Sequence, residues 1–313
     1  MTRAFTFPGQ GSQTVGMGRS LFDTYSAARQ VFNEVDEALG EKLSATIFEG
    51  PEETLRLTAN AQPALMAVSL AAFRALEAEG VAISDAELVA GHSLGEYSAL
   101  AAAGTLSVAD AAKLLRLRGN AMQSAVPPGD GAMAALLGLD LEAAEEVASL
   151  AAEGAVCEVA NDNAPGQVVV SGARVAVERA IDIAKDRGAK RAVLLPVSAP
   201  FHCSLMAPAA DEMATALASA AIEAPRVPII ANVTAAPETA VDEIRKNLVD
   251  QVTGRVRWRE SIAKMSAAGI DTAVEIGAGK VLTGLAKRID RTMTAIAVGT
   301  AEDVAAFAKR EAA

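Results

Sequence analysis

Glu87-Leu88-Val89-Ala90-Gly91-His92-Ser93-Leu94-Gly95 is the stretch on which the fold turns. Residues 87–90 have strand character and run straight into a glycine-flanked turn, after which a helical run begins. That order gives Gly91-x-Ser93-x-Gly95 the setting of a nucleophile elbow. The glycines permit a tight turn, the serine sits strained at its apex, and the N–H that follows points into the same space. The alternative is a helix-capping serine between two convenient glycines, and the preceding strand weighs against it.

Working outward, residues 4–7 form a short apolar strand that ends in a glycine-rich turn over 8–18, and helices are expected near 26–40, 61–80 and 107–125. Val126-Pro127-Pro128-Gly129-Asp130-Gly131 is the clearest break in the chain. Beyond it the pattern reads strand 132–139, helix to 152, strand 156–160, turn 161–166, strand 167–171, helix to 187 and strand 191–196. This βαββαβ order predicts a ferredoxin-like α+β subdomain whose ends lie close enough to be inserted into another domain. The host then resumes with a helix at 204–220, a strand at 227–231, a helix at 241–250, a strand at 272–276 and a final helix from about 280. Alternating strands and helices on both sides of the insert predict a hydrolase-like α/β host with a mostly parallel sheet. The expected division is a discontinuous catalytic domain, 1–127 and 198–313, around a small subdomain, 128–197.

Composition narrows the function. Of 313 residues, 51% are hydrophobic and 21% charged, so a sizeable core is expected rather than disorder. A net charge of -11 argues against nucleic acid or anionic lipid as partner. Two cysteines, Cys157 and Cys203, are too few for a disulfide framework, and no signal peptide or spanning stretch is evident, so a cytoplasmic protein is expected. With two histidines and two cysteines at no recognisable ligand spacing, no metal site is expected.

A serine hydroxyl needs a base within hydrogen-bonding reach. His92 adjoins Ser93 at the turn, where neighbouring side chains diverge, which leaves His202. It follows the strand at 191–196 and so has the same address as Ser93, the carboxyl-end rim where open α/β sheets bind ligands. Cys203 beside it reads as inert filler. On the helix at 107–125, Arg118 shares a face with Leu114, Leu115, Ala121 and Met122, whereas Arg116 lies with Lys113, Asn120 and Gln123, as a solvated arginine would. A guanidinium on an apolar face needs an anion: either a carboxylate from elsewhere in the fold or the carboxylate of a substrate. Met122, one turn from Arg118, is counted with the substrate-binding residues.

Phe7-Pro8-Gly9-Gln10-Gly11-Ser12-Gln13, Gly91-His92-Ser93-Leu94-Gly95-Glu96, Arg116-Leu117-Arg118-Gly119, Pro200-Phe201-His202 and Glu275-Ile276-Gly277-Ala278-Gly279-Lys280-Val281-Leu282 resemble, in order and across essentially the whole chain, the malonyl-CoA:acyl carrier protein transacylases of fatty acid synthesis. The resemblance implies Ser93 as nucleophile, His202 as base and Arg118 as the clamp on the malonyl carboxylate. It also implies an oxyanion hole from the N–H groups of Gln10 and Leu94, and a main-chain carbonyl at Gln251 that orients the histidine in place of an acid. Asn161 and Asn163 are expected to face the cleft. Phe201 with Leu94 matches the pattern of members that exclude a methyl branch, while Ala278 stands where many relatives carry proline.

The implied reaction is ping-pong transfer from malonyl-CoA to the phosphopantetheine thiol of acyl carrier protein, with no cofactor and with a monomer as the expected state. Lys190 with Arg191, and Arg255, Arg257 and Arg259, are candidates for docking an acidic carrier. A serine esterase or thioesterase, an acyltransferase serving a polyketide pathway, and a noncatalytic carrier-binding module are the alternatives. Nucleotide binding by Gly277-Ala278-Gly279-Lys280 is disfavoured, because neither Ser nor Thr follows the lysine.

Overall fold

The computed structural model describes residues 2–311, so Met1, Ala312 and Ala313, at the outer ends of the expected host segments, lie outside the described residues. The described strands are β1 (Arg3–Phe7), β2 (Leu88–Gly91), β3 (Gly131–Leu137), β4 (Cys157–Ala164), β5 (Gln167–Ala173), β6 (Arg191–Leu194), β7 (Ile229–Ile230), β8 (Pro237–Glu238), β9 (Thr272–Ile276) and β10 (Thr294–Val298). They build two sheets, ordered β10-β9-β1-β2-β7-β8 and β4-β5-β3-β6.

Strict alternation along the central strands explains why the larger sheet has a core on each face. Phe5, Phe7, Val89, Val274 and Ile276 face helices Ser26–Leu39, Thr58–Ala78 and Val108–Ser124, while Ala4, Leu88, Ala90 and Ala273 face Trp258–Ala267 and Val281–Ile289. Every pair in this sheet is parallel except the edge, where β8 runs against β7. The register Phe7↔Gly91 brings β1 and β2 out at the same rim, so the loop after Phe7 lies beside the elbow. His92 N donates to Phe7 O at 3.0 Å and seals the two exits together.

The smaller sheet is antiparallel throughout and has the ferredoxin-like strand order. One face carries its own core, with Leu136, Val147, Val168, Val170 and Val177, while Met133 and Val169 on the other face pack with the host. β4 is the main departure from expectation. The predicted turn at 161–166 is strand as far as Ala164, with register shifts at 159/161 and 162/164 and a turn confined to Pro165 and Gly166. The extension exists because β4 also pairs with the host: Asp162 N donates to Val256 O at 3.0 Å and Val256 N to Ala160 O at 2.8 Å. Only a chain segment about a hundred residues away can satisfy those groups, so local turn residues such as Asn161 and Asn163 mislead.

The carboxyl-terminal part is richer than a single final helix. Trp258–Ala267 is helical, and Val281–Ile289 is followed by β10 and a last helix, Ala301–Glu311. The 61–80 helix begins earlier, at Thr58, a difference that matters for Arg118 below. No helix among the described residues is long and apolar enough to cross a membrane.

Candidate active site

Ser93 has φ 54°, a left-handed conformation costly for a residue with a β-carbon. Its surroundings compel it. A β-carbon on Gly91 would lie 1.9 Å from the carbonyl of Gly95, and one on Gly95 would lie 2.3 Å from Phe7 O, so both glycines are required by close approach. Asn232, just after β7, clamps the turn from the next strand: its Oδ1 accepts from Ser93 N at 2.7 Å and its Nδ2 donates to Gly91 O at 2.7 Å.

His202, from the loop after β6, reaches Ser93 across the rim with Oγ to Nε2 at 2.7 Å. Its Nδ1 faces two carbonyls, Gln251 O at 2.9 Å and Gly254 O at 3.2 Å. Carbonyls only accept, so the proton sits on Nδ1 and the Nε2 lone pair is left for the serine O–H. Burial first, and then the charge of Arg118, lowers the His202 pKa to about 3, which keeps the imidazole neutral.

Arg118 is 1% exposed, and its partners are unusual. Nη1 donates to Gln62 Oε1 at 2.7 Å, and Nη2 donates to Gln251 Oε1 at 2.8 Å and to Ser93 Oγ at 3.2 Å. Its guanidinium lies 5.8 Å from the Tyr97 ring centroid, and Nε has no partner among the described residues. None of the described carboxylates forms an ion pair with it. Arg118 is thus a buried cation whose hydrogen-bond partners are neutral groups, one of them the nucleophile's oxygen. Burial lowers its pKa from the usual arginine value, and Tyr97 and Glu96 oppose that shift.

Gln10, Leu94, Met122, Asn161 and Phe201 line one cleft of about 350 Å³ with Ser93, His202 and Arg118. Leu94 precedes the helix Gly95–Ala102, whose early bonds start at Gly95 N to His92 O, so its own N–H is among those that a helix amino terminus leaves without an internal acceptor. Asn163 is placed differently from expectation: it is not among the residues that line the cleft, and its Oδ1 lies 2.8 Å from Nε2 of His92, which is. His92 turns away from the serine towards Asn163 and Trp258. Arg116 is no free solvated arginine either, since it donates to Asn60 Oδ1 at 2.8 Å and pairs with Glu41. Cys203 is buried, and burial raises its thiol to about 11, out of reach of nucleophilic chemistry. Of the basic candidates, Arg255, Arg257 and Arg259 pair with Glu145, Glu260 and Asp162, whereas Lys190 and Arg191 stand exposed.

Three contacts of this site lie outside the sequence reading. Gln62 was detectable as a polar residue in an otherwise apolar helical run, and Asn232 as a polar residue directly after a strand. Glu96 directly follows the elbow and was given no role.

Residues 4–310 match the acyl transferase domain family. A malonyl CoA-acyl carrier protein transacylase of Bacillus subtilis (strain 168) is 48% identical over 302 residues, 96% of this chain and 94% of that one. The chain belongs to the malonyl CoA-acyl carrier protein transacylase family. The crystal structure of an acyl-carrier-protein-S-malonyltransferase from Bartonella henselae superposes with a TM-score of 0.97 at 58% identity, covering 100% of both chains. A malonyl-transacylase solved in complex with its type II PKS acyl-carrier protein superposes with a TM-score of 0.96 at 42% identity, covering 99% of this chain and 100% of that one. Transacylase-family membership thus coincides with a serine, a neutral imidazole and a fixed guanidinium meeting in one cleft.

Proposed function

We propose that this protein transfers the malonyl group from malonyl-CoA to the phosphopantetheine thiol of acyl carrier protein through an ester on Ser93. The observation that carries this reading is Arg118, a buried guanidinium without a carboxylate of its own, held 3.2 Å from Ser93 Oγ. A malonyl group esterified to that oxygen carries its free carboxylate within reach of the fork.

In the first half-reaction His202 Nε2 takes the serine proton as Oγ attacks the thioester carbonyl, and the N–H groups of Gln10 and Leu94 receive the developing oxyanion. The imidazolium, held by Gln251 O and Gly254 O, then protonates the departing coenzyme A thiolate. In the second half His202 deprotonates the carrier's thiol, which attacks the ester and returns Ser93 to its starting state. Phe201 and Met122 bound the acyl side of the cleft, so the site favours malonyl over its methyl-branched homologue. The carrier delivers its thiol to the cleft, the exposed Lys190 and Arg191 are candidate cationic contacts for it, and the two buried free cysteines suit a reducing cytoplasm.

Intact-protein mass measurement after mixing with malonyl-CoA tests the core of this reading. A malonyl increment is expected on the wild type and not on Ser93→Ala; no increment on the wild type would overturn it. The relative solved with a type II PKS carrier favours a second reading of the partner alone. Parallel turnover with a fatty-acid and a polyketide carrier separates the two.

A further inference from the structure

Glu96 is buried one residue beyond the elbow, and no step of the transfer uses it. Its Oε2 accepts from Gln251 Nε2 at 2.6 Å and from Asn232 N at 3.2 Å. The same Gln251 nitrogen donates to Ser93 O at 3.0 Å. A carboxylate oxygen and a carbonyl oxygen both only accept, so they demand the NH2 end of the amide, and Oε1 is turned to Arg118 Nη2 at 2.8 Å. An amide's orientation is ambiguous by shape alone, and here the acceptors decide it. The outcome is a buried carboxylate and a buried guanidinium on opposite ends of one neutral side chain.

We propose that Glu96 is a positioning residue for substrate selection, which locks the Gln251 amide so that a neutral carbonyl, rather than a carboxylate, seats Arg118 and leaves its charge for the acyl group's carboxylate. This rests on the malonyl-transfer reading. A carboxylate in direct contact with Arg118 would form a charge-assisted pair and compete with the substrate for the fork. Interposing an amide keeps the acid near enough to steady the site and too far to occupy the guanidinium. Burial raises the Glu96 pKa to about 7, against the pull of Gln251, Asn232 and Arg118, and with either protonation state Oε2 remains available as an acceptor.

The test is the double swap Glu96→Gln with Gln251→Glu, which keeps total charge and nearly all volume while moving the carboxylate onto Arg118. Wild type and variant are each mixed with equal malonyl-CoA and acetyl-CoA, and the initial rates of the two adducts on Ser93 are read by mass, with thermal melting as the check on folding. The malonyl-to-acetyl ratio should fall by about tenfold or more, the change expected when one charged hydrogen bond is lost. A folded swap variant with the wild-type ratio would overturn the proposal. Should the swap not fold, Gln251→Glu alone carries the same expectation and the same refutation. Absence of a malonyl adduct on the wild type would remove the malonyl-transfer reading itself, a different result from an unchanged ratio.

Discussion

Arg118 and His202 act on one oxygen atom with opposite demands, and both pay for burial. Arg118→Ala removes the donor to Ser93 Oγ and the cation that would hold the malonyl carboxylate. Malonyl kcat/KM should drop by about a hundredfold, the upper range for a charged hydrogen bond in a dry site, while acetyl loading falls far less. An unchanged acyl preference would count against the clamp. The buried acid and base also oppose each other in stability. Between pH 3 and 6.5 the unfolded His202 binds a proton that the folded one refuses, so its contribution to stability is present above 6.5 and is lost as pH falls. Between 4.5 and 7 the folded Glu96 holds a proton that the unfolded one has released, so its contribution is present below 4.5 and is lost as pH rises. The two slopes largely cancel from 4.5 to 6.5. Glu96→Gln removes one of them, so the stability of that variant should rise with pH more steeply than the wild type's, by up to about 1.4 kcal/mol per pH unit. Urea melts at several pH values measure this, and parallel curves for the two proteins would refute it.

At the scale of elements, the arginine's position is set by how closely two helices approach. A β-carbon on Gly119 would lie 2.6 Å from Ala59 Cα and 2.8 Å from Thr58 O, in the first turn of the neighbouring helix. Gly119→Ala must therefore push Val108–Ser124 away from Thr58–Ala78, which carries Gln62, and draw Arg118 off its seat. The expected cost is about 1–3 kcal/mol with a loss of malonyl preference, read by melting temperature and by adduct ratio. A stability loss without a specificity change would show that the seat tolerates the shift. This contact also marks where the sequence was legible. Short strand segments at 4–7, 87–90 and 272–276 disclosed β1, β2 and β9, the glycine-flanked serine disclosed the elbow, and Arg118 stood out because its helix face was otherwise apolar. Thr58 and Ala59 were not recognisable as helix, because their value lies in a neighbour sixty residues on. The length of β4 was hidden for the same reason, since its pairing partner is Val256. Trp258–Ala267 carries Trp258, Ile262 and Met265 at helical spacing, but Arg259, with Arg255 and Arg257 just before the helix, reads as a charged surface instead. Asn232, Gln62 and Glu96 are single polar contacts brought together by the fold, and no local pattern announces which polar residue will meet which.

For the molecule as a whole, the cleft lies where two units, each with its own sheet, meet. The host supplies Gln10, Ser93, Arg118 and His202, and the smaller unit supplies Met133, Asn161 and Leu195. Part of their seam is the pairing of β4 with Val256, and beside it Asp162, with a side chain 1% exposed, meets Arg259 Nη2 at 2.7 Å. Because Asn161 is the next residue along the strand, the seam also fixes that wall of the cleft. Arg259→Ala would leave the Asp162 carboxylate buried without its counter-ion. Removing one partner of a buried pair is strongly destabilising, but Arg259 is partly exposed and water can enter in its place, so the expected cost is about 1–3 kcal/mol. The serine, imidazole and guanidinium are all anchored within the host, so kcat for malonyl loading should change little while KM rises as the Asn161 wall loosens. Hydrogen exchange provides the structural measure: the amides of Asp162 and Val256 should exchange faster in the variant, whereas those of β1 and β2 keep wild-type protection. Faster exchange spread evenly over both sheets would mean that the pair supports global stability rather than the seam, and unchanged exchange at Asp162 and Val256 would mean that the backbone bridge holds the two units together without it.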